Sequence, residues 1–289
     1  MRKYTKLMLD RDFPTEESCL EWLFKSRWPN GVSCKKCGKV TPYFRIRTKK
    51  VYGCALCGTQ VSPAAGTIFH KSETPLRSWL YAIFLMASTR TGVASLQLER
   101  ELGVNHRTAL RMFRQIRTLM AETNGSLYGD IEVDETYIGG KRPGKRGRGA
   151  AGKTIVVGMV ERHGNAIVRV KPNVRAATLI PFIQEHVPSH AGTTVFTDEL
   201  PSYNKLTGLG YPHETVQHVA KEYVRGVAHV NNIENVWSNI KRGIDGVNHS
   251  VTPAYLQTYL DSYVFRYNHR SDETPLFQQL LQRAASPIQ

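Results

Sequence analysis

The sequence predicts an α/β fold: a mixed sheet with flanking helices, preceded by a metal-bound ribbon and a helical segment. Three observations carry this. Two Cys-x-x-Cys-Gly knuckles lie between residues 34 and 58. Residues 75–121 hold helical periodicity. From residue 131 onward, runs rich in β-branched residues alternate with helical stretches, an order that implies a sheet covered on its faces.

Residues 1–30 read as a helical lead-in. Thr15 is placed to cap it, Cys19, Leu20, Trp22, Leu23 and Phe24 supply apolar positions, and Pro29-Asn30-Gly31 ends it. Cys19 stands apart from the knuckles and reads as a small buried hydrophobe.

In the ribbon, Cys34-Lys35-Lys36-Cys37-Gly38 and Cys54-Ala55-Leu56-Cys57-Gly58 are separated by 16 residues. Tetrahedral zinc takes four soft ligands at about 2.3 Å, and a two-residue gap lets one tight turn present two thiolates. The glycine after each pair lets the turn close. A redox pair of the thioredoxin kind occurs singly on a βαβ background, unlike this doublet. Cys34, Cys37, Cys54 and Cys57 are therefore expected to bind zinc. Four thiolates leave no open position, so that zinc is structural.

The helical segment resembles a helix-turn-helix. Residues 94–103 carry Leu96, Leu98 and Leu102, Gly103 sits at the turn, and Asn105 caps a second helix. Arg107, Arg111, Arg114 and Arg117 follow at spacings of four, three and three, which predicts one basic stripe suited to phosphates or a major groove.

Residues 131–138, 154–162 and 166–170 are expected strands. Between the first two lies a basic, glycine-rich loop with Lys141, Arg142, Lys145, Arg146 and Arg148. Asn173 is expected to cap a helix running to about 186. Residues 193–198 form a fourth strand, a short helix starts at 202, and residues 215–218 form a fifth strand. Residues 231–243 and 253–268 are expected helices, and the tail after 271 is read as loosely packed.

The net charge of +15 and pI near 9.7 call for a polyanionic partner, nucleic acid or an anionic membrane. No apolar run of about 18–20 residues exists, and the charged N-terminus lacks the apolar core of a signal peptide. The expectation is a cytoplasmic, nucleoid-associated protein with no membrane partner.

Carboxylates recur on the expected elements. Asp134 and Asp198 each follow a β-branched or aromatic run, where rigid backbone aims them. Thirty-five residues separate Asp198 from Glu234, and Lys241 lies seven beyond Glu234. Seven helical residues return to within about 20° of one azimuth, so Glu234 and Lys241 share a helix face. Carboxylates from different elements converging on two hard cations are what in-line phosphoryl transfer requires. Glu132 shares the strand face of Asp134, as an outer-shell group or a solvated carboxylate. Glu135 and Glu199 face the other way and read as structural. His229 is read as a phosphate contact or a helix cap, Trp237 as core, and Tyr267-Asn268-His269-Arg270 as a site closure or a basic helix end.

Taken together, the two knuckles, Val133-Asp134-Glu135-Thr136 with Gly139-Gly140-Lys141, Thr197-Asp198, and the run from His229 to Trp237 with Lys241-Arg242-Gly243 resemble the bacterial insertion-sequence transposases of the ISXO type. The resemblance spans roughly residues 15–270. It implies residues 1–72 as lead-in and zinc ribbon, 73–125 as a DNA-binding helical segment, 126–270 as an RNase H-like catalytic domain with a D-D-(E/N)-K signature, and 271–289 as a tail. It implies cleavage of element ends and joining of their 3′-hydroxyls to target DNA, with Mg²⁺ or Mn²⁺ on Asp134, Asp198 and Glu234. The family also uses asparagine third, and Asn231 lies one turn before Glu234; metal hardness and spacing favour the glutamate. Expected DNA contacts are Arg107, Arg111, Arg114, the loop cations, Lys241 and Arg242. Double-stranded DNA and a homodimer or higher synaptic assembly follow by analogy. The competing readings are a non-catalytic zinc-ribbon DNA-binding regulator derived from a transposase, and a nuclease that hydrolyses without joining.

Overall fold

The structure, a computed structural model, describes residues 3–122, 125–139, 152–189, 192–216 and 230–287. Two compact units emerge: residues 1–119 with 272–289, and residues 120–271.

The first unit opens with α1 (Lys6–Asp12) and α2 (Glu16–Arg27). Thr15 caps α2 as expected, in a reciprocal box: Ser18 N donates to Thr15 Oγ1 and Thr15 N to Ser18 Oγ, both at 3.1 Å. The ribbon follows as β1 (Val32–Ser33), β2 (Val40–Thr41), β3 (Tyr43–Ile46), β4 (Val51–Cys54) and β5 (Gln60–Val61). Strand β1 pairs antiparallel with β2, and β3, β4 and β5 form an antiparallel sheet. Cys19 is buried, as expected. Then come α3 (Leu76–Ser88), α4 (Ser95–Leu102) and α5 (His106–Thr118). Gly103 ends α4 in the left-handed region at φ +62°, and Asn105 Oδ1 accepts from Thr108 N at 2.9 Å to start α5.

The second unit is built on β6 (Asp130–Ile138), β7 (Thr154–Glu161), β8 (Ala166–Lys171), α6 (Ala176–His186), β9 (Thr194–Thr197), α7 (Lys205–Gly208), β10 (His213–Thr215), α8 (Asn231–Gly243) and α9 (Pro253–Asn268). The sheet order is β10-β9-β6-β7-β8. Strands β6, β7 and β8 form an antiparallel meander, and β9 and β10 run parallel to β6 on its other side. This is the RNase H-like mixed sheet that the family resemblance implied. Alternation along the strands divides the core. Val156, Val160 and Val168 pack with Ile233, Val236, Trp237 and Leu260 on the α8 and α9 side. Ile131, Val133, Val157 and Met159 pack with Leu179, Ile183 and Leu206 on the α6 side.

Three boundaries depart from expectation. The fifth strand covers 213–215, because its parallel register against β9 pairs His213 with Val195. Helix α6 begins at 176. Asn173 precedes it and accepts from Arg175 N at 3.0 Å and Thr178 Oγ1 at 2.7 Å, a turn before the helix rather than its cap. The tail is not loose: α10 (Leu276–Ala285) belongs to the first unit, with Leu280, Leu281 and Ala284 buried and Phe277 against Tyr4 and Phe84 at ring distances of 4.5 and 5.9 Å. Its apolar residues at 276, 277, 280, 281 and 284 make a helical stripe that accounts for the packing. No helix among the described residues is long and apolar enough to cross a membrane.

Candidate active site and metal centres

The ribbon gathers its four thiols by repeating one turn twice. Gly38 N donates to Cys34 O and Gly58 N to Cys54 O, each at 2.9 Å. Both glycines hold positive φ, +68° and +72°, which only a residue without Cβ adopts freely. The ligand atoms of Cys34, Cys37, Cys54 and Cys57 lie within 4.8 Å of one another. Cys34 Sγ is 3.6 Å from Cys57 Sγ, and Cys37 Sγ is 4.0 Å from Cys54 Sγ. A tetrahedron with metal–sulfur bonds of about 2.3 Å has edges of about 3.8 Å, so the four sulfurs fit a closed structural zinc.

The acidic site forms where the strand order reverses. Strands β6 and β9 are parallel neighbours there, the position at which open α/β sheets hold ligands. Asp198 directly follows β9, and its Oδ1 accepts from Leu200 N at 3.0 Å. Thr197 Oγ1 donates to the Asp198 carbonyl at 2.7 Å and lies 2.9 Å from His213 Nε2. Ligand atoms of Asp134, Glu135 and Asp198 lie within 4.8 Å of one another. An ion bound at about 2.1 Å holds two oxygens no more than about 4.2 Å apart, so small side-chain shifts suffice for these carboxylates to hold one.

Glu135 was expected to stand apart, on the opposite face from Asp134. It does belong to that face, where the buried Tyr203 donates to its Oε2 at 3.1 Å. But β9 ends at Thr197 and pairs with β6 only as far as Glu132. Among the described residues no strand pairs with β6 on that side beyond Glu132, and the ligand atoms of Asp134 and Glu135 both lie within 4.8 Å of that of Asp198. Burial, then the neighbouring Glu135, push the Asp134 carboxyl up to about 6, while a hydrogen bond from Trp237 works in the other direction.

Trp237 was expected to be core. It is buried, and its Nε1 also donates to Asp134 Oδ2 at 2.9 Å. Glu132 is fully buried rather than solvated. Its Oε2 accepts from Asn232 N at 2.8 Å and Ile233 N at 3.1 Å. Its Oε1 accepts from Asn232 Nδ2 at 2.8 Å and Arg162 Nε at 3.0 Å. The Arg162 guanidinium stacks 4.0 Å over Phe196. Helix α8 has no side-chain cap of its own at Val230. A carboxylate reaching from β6 satisfies its first N–H groups instead, where the helix dipole favours negative charge.

Asn231, Glu234, Lys241 and Arg242 all stand on the exposed face of α8, opposite Ile233, Val236 and Ile240. Glu234 lies outside the acidic cluster. Arg107, Arg111 and Arg114 are exposed on α5, and Arg111 Nη2 donates to Ser72 Oγ at 3.0 Å. Arg117 does not share their stripe: it is buried, with its guanidinium 3.8 Å over the Phe113 ring. Ten residues at about 100° each carry it roughly 80° round from Arg107, into the packed side. Asn268 bonds the backbone of Ala166 through Oδ1 at 2.7 Å and Nδ2 at 3.1 Å, and His269 Nε2 meets Glu122 at 2.8 Å. Those two residues therefore fasten the end of α9 to its surroundings rather than close the acidic site. Lys141, Arg142, Lys145, Arg146, Arg148 and His229 lie outside the described residues.

Sequence reasoning missed the roles of Trp237, Glu132, Arg162 and Tyr203. One signal was available. Gly158 interrupts the β-branched run of β7, and a glycine inside a strand marks a close approach.

Comparison with known proteins agrees with this arrangement. The family profile for the ISXO2-like transposase domain matches residues 126–268, and that for a transposase zinc-ribbon domain matches residues 14–60. An uncharacterized protein in transposable element ISH50 of Halobacterium salinarum is 28% identical over 287 residues, covering 90% of this chain and 95% of that one. An uncharacterized transposase-like protein of Haemophilus influenzae is 30% identical over 100 residues, covering 35% of this chain and 78% of its own. Among solved structures, a pre-cleavage Mos1 transpososome is similar at 13% identity and a TM-score of 0.29, covering 67% of this chain and 74% of that one. A likeness that slight adds nothing to the strand order above.

Proposed function

Because the chain belongs to the ISXO2-like transposases, we propose that it is a DNA transposase that cleaves insertion-sequence ends and joins their 3′-hydroxyls to target DNA. The observation that carries this is the meeting of Asp134 and Asp198, from β6 and the end of β9, within 4.8 Å. The residues present fit a hard divalent cation, since their donors are all carboxylate oxygen. Bound Mg²⁺ or Mn²⁺ would polarise the attacking and leaving oxygens of an in-line displacement.

Asp134 and Asp198 would hold the metal from the sheet, and Glu234, which stands on the exposed face of α8 outside that cluster, would complete the set from the helix. Asn231, one turn earlier, serves as a neutral ligand or a DNA contact. In the first step a water oxygen bonds to phosphorus and the bond to the element's 3′ oxygen breaks, leaving a 3′-hydroxyl. In the second step that hydroxyl bonds to a target phosphorus and the target's own 3′ oxygen leaves. Neither step needs a covalent enzyme intermediate.

Lys241 shares the exposed face of Glu234, two turns on, and with Arg242 contacts DNA phosphate. Arg107, Arg111 and Arg114 on α5, together with Lys141, Arg142, Lys145, Arg146 and Arg148, contact duplex DNA. The excess of 15 positive charges supports a polyanionic partner. Residues 1–72, 73–125 and 126–270 divide the work into ribbon, DNA-binding helices and catalysis. Synapsis of two element ends calls for a homodimer or larger assembly. The setting is cytoplasmic, at the nucleoid.

The test is strand transfer of a labelled terminal inverted repeat in Mg²⁺ or Mn²⁺. The unsubstituted chain is expected to join it to target DNA, and Asp134→Ala to leave it unjoined. Full activity in Asp134→Ala would overturn the reading.

A further inference from the structure

Gly158 lies in the middle of β7 and pairs directly with Asp134 across the β6–β7 ladder. A Cβ at this position would lie 2.6 Å from Trp237 Cη2, 2.8 Å from its Cζ2 and 2.8 Å from Ile233 Cδ1. Such distances are well inside the ordinary carbon–carbon contact of about 3.5–4.0 Å. The indole therefore occupies the space that any side chain at 158 would claim. From that notch its N–H reaches Asp134 Oδ2 at 2.9 Å.

A buried indole N–H needs an acceptor. Here the acceptor is a carboxylate whose other neighbours are Glu135 and Asp198. The terminal torsion of an aspartate is broad and has no strong well of its own. A donor held by a rigid ring in a packed helix fixes the plane of that carboxylate. The ring in turn is held by backbone, since β7 offers no side chain to displace it.

We propose that Trp237, seated in the notch at Gly158, is a positioning residue for the divalent metal: its N–H orients the Asp134 carboxylate toward Asp198. This rests on the assignment of Asp134 as a metal ligand. Partners that hydrogen-bond ligating groups typically change metal affinity about 10–100-fold when removed. A Trp237 that served only as core would change stability and leave metal affinity alone.

The experiment titrates Mn²⁺ alone into the zinc-loaded full chain, reading free Mn²⁺ by electron paramagnetic resonance, with the thermal midpoint followed in parallel. Trp237→Phe keeps a ring and removes the N–H, and is expected to weaken Mn²⁺ binding about tenfold or more. Gly158→Ala drives a methyl group at the indole and is expected to give a similar loss. Phenylalanine lacks Cη2 and Cζ2, so adding Gly158→Ala to Trp237→Phe is expected to change Mn²⁺ affinity less than about twofold further, the non-additivity of two changes acting on one contact. Unchanged Mn²⁺ affinity in both single variants, with Asp134→Ala abolishing it, would overturn the positioning role and leave the metal assignment standing. Asp134→Ala binding Mn²⁺ as tightly as the unsubstituted chain would overturn both. If Trp237→Phe does not fold, Gly158→Ala alone decides the question.

Discussion

The two clusters of candidate metal ligands in this chain are encoded in opposite ways. The thiolate cluster draws all its ligands from residues 34–57, and each half closes on its own glycine with the same hydrogen bond. The acidic cluster draws on β6 and the end of β9. Its ligands make few of their own supports. Asp134 is held from residue 237, and the helix that carries Trp237 is held by Glu132 from a hundred residues away. A site written in local spacing survives on that spacing. A site assembled by tertiary structure depends on groups that are not ligands at all.

The sharpest way to break this contrast is to strip the zinc. Binding to a structural thiolate site is worth about 10–16 kcal/mol, all of it coupled to local folding. Chelation, or Cys54→Ser, is expected to abolish amide protection across residues 31–61 while β6, β7 and β8 keep theirs. Hydrogen exchange followed segment by segment reads this directly. Loss of protection in both regions together would show that the ribbon is not a self-contained unit.

Asp134→Ala attacks the other cluster at its ligand. Metal polarisation of the reacting oxygens contributes several kcal/mol to the transition state, so strand transfer is expected to fall roughly a thousandfold or more. Zinc content, by atomic absorption, should not change. A loss of zinc in this variant would mean that the two clusters are not independent.

How legible each cluster was follows from the same contrast. The ribbon could be read outright, because Cys-x-x-Cys-Gly states both the ligands and the turn. The two strands that carry Asp134 and Asp198 were also visible, through the β-branched and aromatic residues before each aspartate, and the resemblance grouped the two as metal ligands; the order of those strands in the sheet came from the structure. What stayed hidden was whatever depends on which face meets which. Glu132 looked like any strand carboxylate, because its partners, the backbone and side chain of Asn232, the backbone of Ile233 and the side chain of Arg162, lie 30 to 101 residues away. Glu135 was assigned by strand alternation to the far face, and alternation says nothing about how the carboxylates gather where the β6–β9 pairing stops. The tail read as loose because its apolar stripe, Leu276 to Ala284, has no partner within its own segment; its aromatic contacts are Tyr4 and Phe84.

Glu132→Gln tests those hidden supports with a smaller effect. The substitution keeps the volume but removes the charge that faces Arg162 and the start of α8. Removing one partner of a buried ion pair costs roughly 3–5 kcal/mol. Asp130 remains 3.4 Å from Arg162, and an amide oxygen still accepts from the helix N–H groups, so the expected loss is about 2 kcal/mol, below that range. Denaturant unfolding of the chain measures it. A change within about 0.5 kcal/mol, the ordinary range for surface positions, would mean that α8 is held by its packing alone and that Glu132 is incidental.

The smallest effect separates spacing from packing within a single helix. Arg114 and Arg117 are three residues apart on α5, and spacing alone puts them on one basic stripe. Packing does not: Arg114 is exposed, whereas Arg117 is buried over Phe113. Each phosphate contact contributes about 0.9 to the slope of log binding constant against log salt. Arg114→Ala is therefore expected to lower the slope for duplex DNA by about that amount, and Arg117→Met to leave it unchanged while lowering the thermal midpoint. Equal slope changes in the two variants would return Arg117 to the binding face, and the sequence spacing would then have described this helix better than its burial does.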